Sequence, residues 1–432
     1  MKLFSYTLIA LLFAIPSIFA FKLHNQNLPY THPYIVVKDD VSYKTLKDVP
    51  AGIAITATNY WTPLLASLPS STPPPPPSGN EPPTVNSLPS NPPPDTNDTE
   101  PEEELDPGVG QVAIDDPNYA VPSYGTRIVN ISTRGKVVGS ASDDALVGGF
   151  VMRGTPGAIK TVIVRGLGPY MSGSIDSSLL LADPYIEVFN SSGVKIASND
   201  NWKEQYADPE GVVNPDPSTT LNNGNYAGWT TSFAGVGLND KEAGLLLDLE
   251  ISSNGFGIYT VYLYGTGGST GVGQVAIDDP DYSANGSGNR IVNISTRGYV
   301  GTGDYEDLVG GFVLFGPAGD KQNYILRGLG PYMKITQNKD IYITDPFMTV
   351  EKNGPRIASN DNWATQYTDS DSTVVNPNPA TTLNNGSYAG WTNLFAGEGV
   401  GLQTKESGVL LNLEVWNGPF GIYTNTVKLS AP

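Results

Sequence analysis

The ten residues GVGQVAIDDP fill Gly108–Pro117 and return unchanged at Gly271–Pro280. Val112 and Ile114 alternate there with Gln111 and Ala113, the period-two pattern of a strand with one face toward a core and the other toward water. Gly110, Gln111, Val112, Ala113, Ile114 and Asp115 form the centre of that strand. The second copy ends a long repeat unit, whereas the first precedes any such unit. The chain therefore carries the last strand of a domain ahead of its first domain.

The repeat is read from paired motifs. RIVNISTRG begins at Arg127 and Arg290, LVGGFV at Leu146 and Leu308, RGLGPYM at Arg165 and Arg327, IASNDNW at Ile196 and Ile357, and GIYT at Gly257 and Gly421. The offset is 163 at the first pair and 161 at the fourth, so two copies of one unit follow each other. In the first copy eight strands are expected: Arg127–Ser132, Leu146–Met152, Lys160–Gly166, Tyr185–Asn190, Val194–Ser198, Leu245–Glu250, Tyr259–Tyr264 and Gly273–Asp278. Leu245, Leu247 and Leu249 point one way, and Leu246, Asp248 and Glu250 the other, as in a half-buried antiparallel strand. Short strands between Gly, Asn, Asp and Pro turns, without regular helices, predict an all-β chain of two tandem antiparallel β-sandwiches, jelly-roll or immunoglobulin-like. The expected divisions are a leader over 1–20, a small β module over 21–62, a linker over 63–107, a donor strand and junction over 108–126, repeat 1 over 127–289 and repeat 2 over 290–432.

The copies end differently. After GIYT the first runs on as VYLYGTGGSTGVGQVAIDDP, while the second continues NTVKLSAP and stops at Pro432. Repeat 2 thus lacks its last strand and would expose unpaired backbone groups and an apolar cleft. The junctions match as well, since Asp278 stands twelve residues before Arg290 and Asp115 twelve before Arg127. If strand 108–117 fills repeat 2 of another subunit, every junction along an array looks alike. That is head-to-tail donor-strand association, the strand-addition mode that joins pilin subunits, and non-closing head-to-tail contacts generate filaments. Three rivals stand beside it: closure of repeat 2 in cis, a self-sufficient repeat 2 edged by NTVKLSAP, and a small ring.

Composition narrows the function. The 432 residues carry a net charge of −19, which offers no basic patch for nucleic-acid phosphates. There is no cysteine, and the two histidines, His24 and His32, lie near the N-terminus. Thiolate chemistry is excluded, and Ser–His catalysis and His-rich metal sites are almost excluded from the bulk of the chain. MKLFSYTLIALLFAIPSIFA reads as a cleaved secretory leader, with Lys2 before an apolar run, Pro16 breaking it and Ala20 at the cleavage site. The export it implies leaves no membrane partner after cleavage. The linker is dense in Pro, Ser, Asn and Glu, a semi-rigid spacer too poor in apolar groups to fold.

Two resemblances follow from these motifs. RIVNISTRG, LVGGFV, VIVRGLGP, DPYIEVFNSSGVKIASNDNW, GIYTVYLYG and GVGQVAIDD resemble a repeat module of large secreted bacterial surface proteins, over nearly all of 127–432. That resemblance implies secretion and a β-sandwich and little about activity. VVKDDVSYKTLKDVPAGIAITATNYWTPL, Val36–Leu64, resembles small three-stranded modules of chitin-binding type, which also decorate phage tail fibres. Its matching elements are Asp40–Val41, Tyr43, the Pro50–Gly52 turn and Tyr60–Trp61.

Tyr60 and Trp61 are the candidates for stacking on a sugar of a surface polysaccharide, and the competing role for Trp61 is the core of a very small module. Asp183, Asn199 and Asp200, with Asp345, Asn360 and Asp361 in the second copy, are hard oxygen donors on loops and the candidates for a structural calcium. The competing reading is turn chemistry, in which Asn and Asp bond their own backbone. No other cofactor is expected. RGLGP is a turn and not a nucleotide loop, because a proline and no helix pattern follows it. Trp202, Trp229, Trp363 and Trp391 read as packing residues, and Asp143–Asp144 as a loop pair with no acid/base partner. The sequence therefore predicts a secreted, non-enzymatic structural protein that binds further copies of itself. The competing class is a monomeric surface adhesion protein that binds carbohydrate.

Overall fold

The computed structural model describes residues 22–23, 35–38, 41–45, 61–63, 106–119, 125–221, 238–282, 288–337, 339–378, 382–383 and 402–429. The leader, nearly all of the linker, Asp40, Tyr60, Trp229 and Trp391 lie outside them. The described strands fall into two separate units.

The smaller unit is a four-stranded sheet of β1 (Lys22–Leu23), β2 (Ile35–Lys38), β3 (Val41–Thr45) and β4 (Trp61–Pro63), in that order. β2, β3 and β4 run antiparallel in turn, and β1 joins β2 in parallel.

Among the described residues the larger unit has sixteen strands. They are β5 (Gly108–Asp115), β6 (Arg127–Val137), β7 (Leu146–Arg153), β8 (Ile159–Leu167), β9 (Pro184–Asn190), β10 (Lys195–Asn199), β11 (Ala243–Glu250), β12 (Phe256–Gly265), β13 (Gly271–Asp278), β14 (Arg290–Val300), β15 (Leu308–Phe315), β16 (Lys321–Leu329), β17 (Pro346–Lys352), β18 (Arg356–Asn360), β19 (Ser407–Glu414) and β20 (Phe420–Leu429). A short helix, α1 (Pro331–Gln337), follows β16, and a 3-10 turn over Pro169–Gly173 holds the same place after β8. The fold is all-β, and all eight strands expected in the first copy are present. Leu245, Leu247 and Leu249 are buried, while Asp248 and Glu250 face solvent.

The pairing does not stop at the boundary between the repeats. β6 pairs with β13 of its own repeat on one side and with β15 of repeat 2 on the other. β14 pairs with β5 and with β7 of repeat 1. The two first strands have thus changed places, and they touch each other in parallel at Ile128↔Ile291 and Lys136↔Tyr299. Exchanging β5–β12 for β13–β20 maps every other pairing onto its counterpart, such as β8·β13 onto β16·β5 and β12·β9 onto β20·β17. The pairing has two-fold pseudosymmetry. Gly135 and Gly298 lie at its centre, where a Cβ on either would fall within about 3.1 Å of both Leu146 and Leu308. One continuous apolar core draws residues from both halves, including Val112, Ile114, Ile131, Leu146, Phe150, Val275, Ile294, Leu308 and Phe312. Neither repeat buries its core alone, the condition under which tandem units fold as one body.

Candidate functional site

The leading strand is seated. β5 lies between β14 and β16 of repeat 2 in the register β13 takes between β6 and β8 of repeat 1: Ile114 faces Ile294 and Leu326, as Ile277 faces Ile131 and Val164. Two-residue periodicity sends Val112 and Ile114 into the shared core, as the alternation predicts. Space for Val112 is left by Gly310, where a Cβ would come within 2.6 Å of its Cγ1; Gly148 leaves the matching space for Val275. The repeated LVGGFV motif is in part the shape of this slot.

The other face of β5 corrects the sequence expectation. Gln111 is only 2 % exposed and Ala113 is fully buried, so neither looks onto water. Val109 on that face joins a second apolar cluster with Leu329, Tyr332, Met333 and Tyr342. The backbone of 341–343 also bonds Val109, whose N–H donates to Ile341 O and whose carbonyl accepts from Ile343 N–H. Alternation reports the pleat; it does not report what later packs on it.

Strand β5 ends in a buried ion pair. The Arg327 guanidinium donates to Asp115 Oδ2 from Nη2 at 2.6 Å and from Nε at 3.2 Å, and Asn293 Nδ2 donates to Oδ1 at 2.5 Å. Repeat 1 makes the same arrangement with Arg165, Asp278 and Asn130, with the Arg contacts at 2.7 and 3.0 Å. None of the four charged residues is more than 1 % exposed. Burial pushes the Asp115 and Asp278 carboxyls above the usual range, and the guanidinium and asparagine beside each pull them back. Next along the chain, Arg290 approaches Asp116 at 3.8 Å, and Lys160 bonds Asp279.

A second buried carboxylate explains RGLGPY. Glu242 is fully buried, and its two oxygens accept the N–H groups of Gly168 and Tyr170 at 2.8 and 2.6 Å. In repeat 2, Glu406 Oε1 accepts from Gly330 and Tyr332. The turn's N–H groups are taken up by a carboxyl group, and that carboxyl belongs to an internal side chain. Neither the two arginines nor the two glutamates stand out by composition. Their signal is an arginine inside an apolar strand, VIVRGLG and ILRGLG, and the repeated pairs Lys241–Glu242 and Lys405–Glu406.

The calcium candidates are engaged with the chain itself, and two of them are not on loops: Asn199 and Asn360 are buried at the ends of β10 and β18. Asn199 Oδ1 accepts from Gly244 N–H, and its Nδ2 donates to the carbonyls of Asn201 and Glu204. Asn360 does the same with Gly408, Asn362 and Thr365. Asp200 accepts from Thr266 Oγ1, Asp361 from Asn362, and Asp183 and Asp345 pair with Lys241 and Lys405. Among the described residues no three acidic or histidine side chains converge as a cation cage. Asn199→Ala or Asn360→Ala strands three backbone groups, and each is expected to lower stability by about 2–4 kcal/mol at roughly 1 kcal/mol per lost bond. Urea unfolding of the full chain measures this, and a melting temperature that rises with added calcium would show a cation competing for these oxygens.

Trp202 and Trp363 are packing residues, their indole N–H groups donating to Asn239 O and Gln403 O. Trp61 opens β4, opposite Thr45, and Tyr60 lies outside the described residues. Compared with family models, curated proteins and solved structures, the chain matches none.

Proposed function

We propose that this is an exported, non-enzymatic structural protein whose body closes on itself and carries the N-terminal module at the end of a Pro-rich spacer. The observation that supports this reading is β5 in the slot of its own chain's repeat 2. With β13 in repeat 1 it fills both slots of the two-fold pattern. The equal twelve-residue junctions then need no neighbouring subunit, because each half of a two-fold body asks for the same connection. Tyr60 and Trp61 of the module would bind a surface polysaccharide by stacking on its sugar rings. The whole-chain charge of −19 favours solubility and weakens nonspecific sticking to anionic surfaces.

A second reading, the head-to-tail filament, is favoured by the identity of the two decapeptides, which makes the strand of one chain a fit for the slot of another. Light scattering and negative-stain microscopy of the full chain separate them. The closed reading expects one monomeric species across a wide concentration range. Growing linear polymers would replace it with the filament.

A further inference from the structure

We infer that the slot between β14 and β16 is an interaction surface for a second copy of this chain, keyed by the Asp115–Arg327 ion pair. The inference rests on the reading of β5 as a separable closing strand. It adds that two chains can exchange these strands reciprocally, each filling the other's slot in a closed dimer.

Four observations carry it. The slot reads sequence through shape: a Cβ on Gly108 would meet the backbone oxygen of Ile341 at 2.7 Å, and Gly310 leaves the space that Val112 fills. It reads charge, because an occupant without an anion at its end leaves the buried Arg327 guanidinium without its carboxylate. The same octapeptide, GVGQVAID, answers both demands in both halves, so the code sits in the strand and not in its connection to the body. The connection also permits exchange. The eleven residues between Asp115 and Arg127 span up to about 40 Å when extended, far enough to reach a body lying alongside.

A strand seated in a neighbour makes the same contacts as one seated at home. Effective concentration and the junction's own bonds, Asp116 N–H to Val292 O and Arg290 Nη2 to Tyr119 O, separate the two states, so exchange appears where the home seat is blocked. Full-length Asp115→Arg has a strand its own slot rejects, Arg against Arg327, but a slot that accepts Asp115. Full-length Arg327→Asp has an intact strand and a slot that rejects it. In a mixed pair each strand meets the opposite charge, and the double variant Asp115→Arg/Arg327→Asp restores the opposition within one chain.

Co-expression of the two differently tagged single variants is expected to give a 1:1 heterodimer by co-purification and light scattering, with the double variant monomeric. As a measure that needs no substitution, two tagged wild-type chains unfolded and refolded together at high concentration should yield mixed dimers, and refolded apart should not. Failure of the pair to co-purify while the double variant folds overturns exchange. Failure of the double variant to fold overturns the charge key. Longer alternating arrays overturn the closed, reciprocal form. Wild-type filaments without any mixing would instead strike at the proposed monomeric body, so the two failures are distinct.

Discussion

Replacing Asp115 by alanine is expected to destabilise the body by about 3–5 kcal/mol, the penalty for leaving a buried guanidinium without its counter-charge. Arg327 is 1 % exposed and gives Asp115 two hydrogen bonds, and Asn293 loses its carboxylate partner in the same step. Arg327→Ala is expected to cost a similar amount, because it buries an unpaired carboxylate. Removing both charges should cost much less than the two single changes together, since a buried pair barely outweighs the desolvation of its members. Asp115→Leu/Arg327→Met, which keeps the volume apolar, should approach the wild type. Urea unfolding of the four variants, with the denaturant slope checked for constancy, makes a double-mutant cycle. A cost near 1 kcal/mol for Asp115→Ala, or strict additivity of the two single changes, would sink the idea that this pair locks the strand. The seating of Val112 is a separate matter. Val112→Asp places an unpaired charge in the core shared by both halves and should prevent folding of the body altogether.

The strands were legible because their signal is local. Alternation of the Leu245–Leu249 kind and the Gly and Asn turns mark each element wherever it ends up. The kinship of β5 with β13 was legible for a different reason: the duplication supplies an internal reference, and GVGQVAIDDP at Gly271–Pro280 shows what the leading copy is. The exchange of β6 and β14 was not legible. Both copies carry RIVNISTRG and LVGGFV, so pairing within a repeat and pairing across repeats satisfy the same local pattern. Only the shared core chooses between them. The burial of Gln111 was not legible because nothing beside it in sequence covers it: its side chain bonds Ser295, 184 positions away, and Val109 on the same face packs with Leu329 and Tyr342. Arg327 and Glu406 escaped for a related reason. A charged residue next to a glycine-rich turn reads as surface until its partner is brought to it, here Asp115 from the front of the chain and the Gly330–Tyr332 backbone from the far end of β16.

Stability is expected to fall as the solution is made alkaline. Burial raises the Glu406 carboxyl to about 8 and the Glu242 carboxyl to about 7, from an ordinary 4.5. The turn N–H groups and Arg327 or Arg165 oppose that rise without cancelling it. Asp116 is likewise raised to about 6, by burial against the pull of Arg290. A carboxyl that holds its proton more tightly folded than unfolded contributes stability that is complete below its unfolded pKa. That contribution is lost as pH climbs through the folded value. The loss therefore opens near the ordinary carboxylate range and runs through pH 6 to 8. At about 1.4 kcal/mol per pKa unit it amounts to several kcal/mol over the two glutamates. On the acid side Asp208 and Asp369 have the opposite sign: burial raises them, but their hydrogen bonds, with Ser198 and Lys195 and with Ser359, hold them below 3.8, and they give up stability as pH falls. The optimum should then lie on the mildly acidic side of neutrality. Thermal melts of the full chain from about pH 5 to about pH 9 test this alongside Glu242→Gln and Glu406→Gln. Each glutamine keeps an acceptor for the turn and removes the titrating proton, so each variant should flatten its share of the alkaline slope. A wild-type melting temperature that stays level or rises between neutral and alkaline pH, or a Glu406→Gln variant with the full slope, would show that these buried carboxyls are not what the pH acts on.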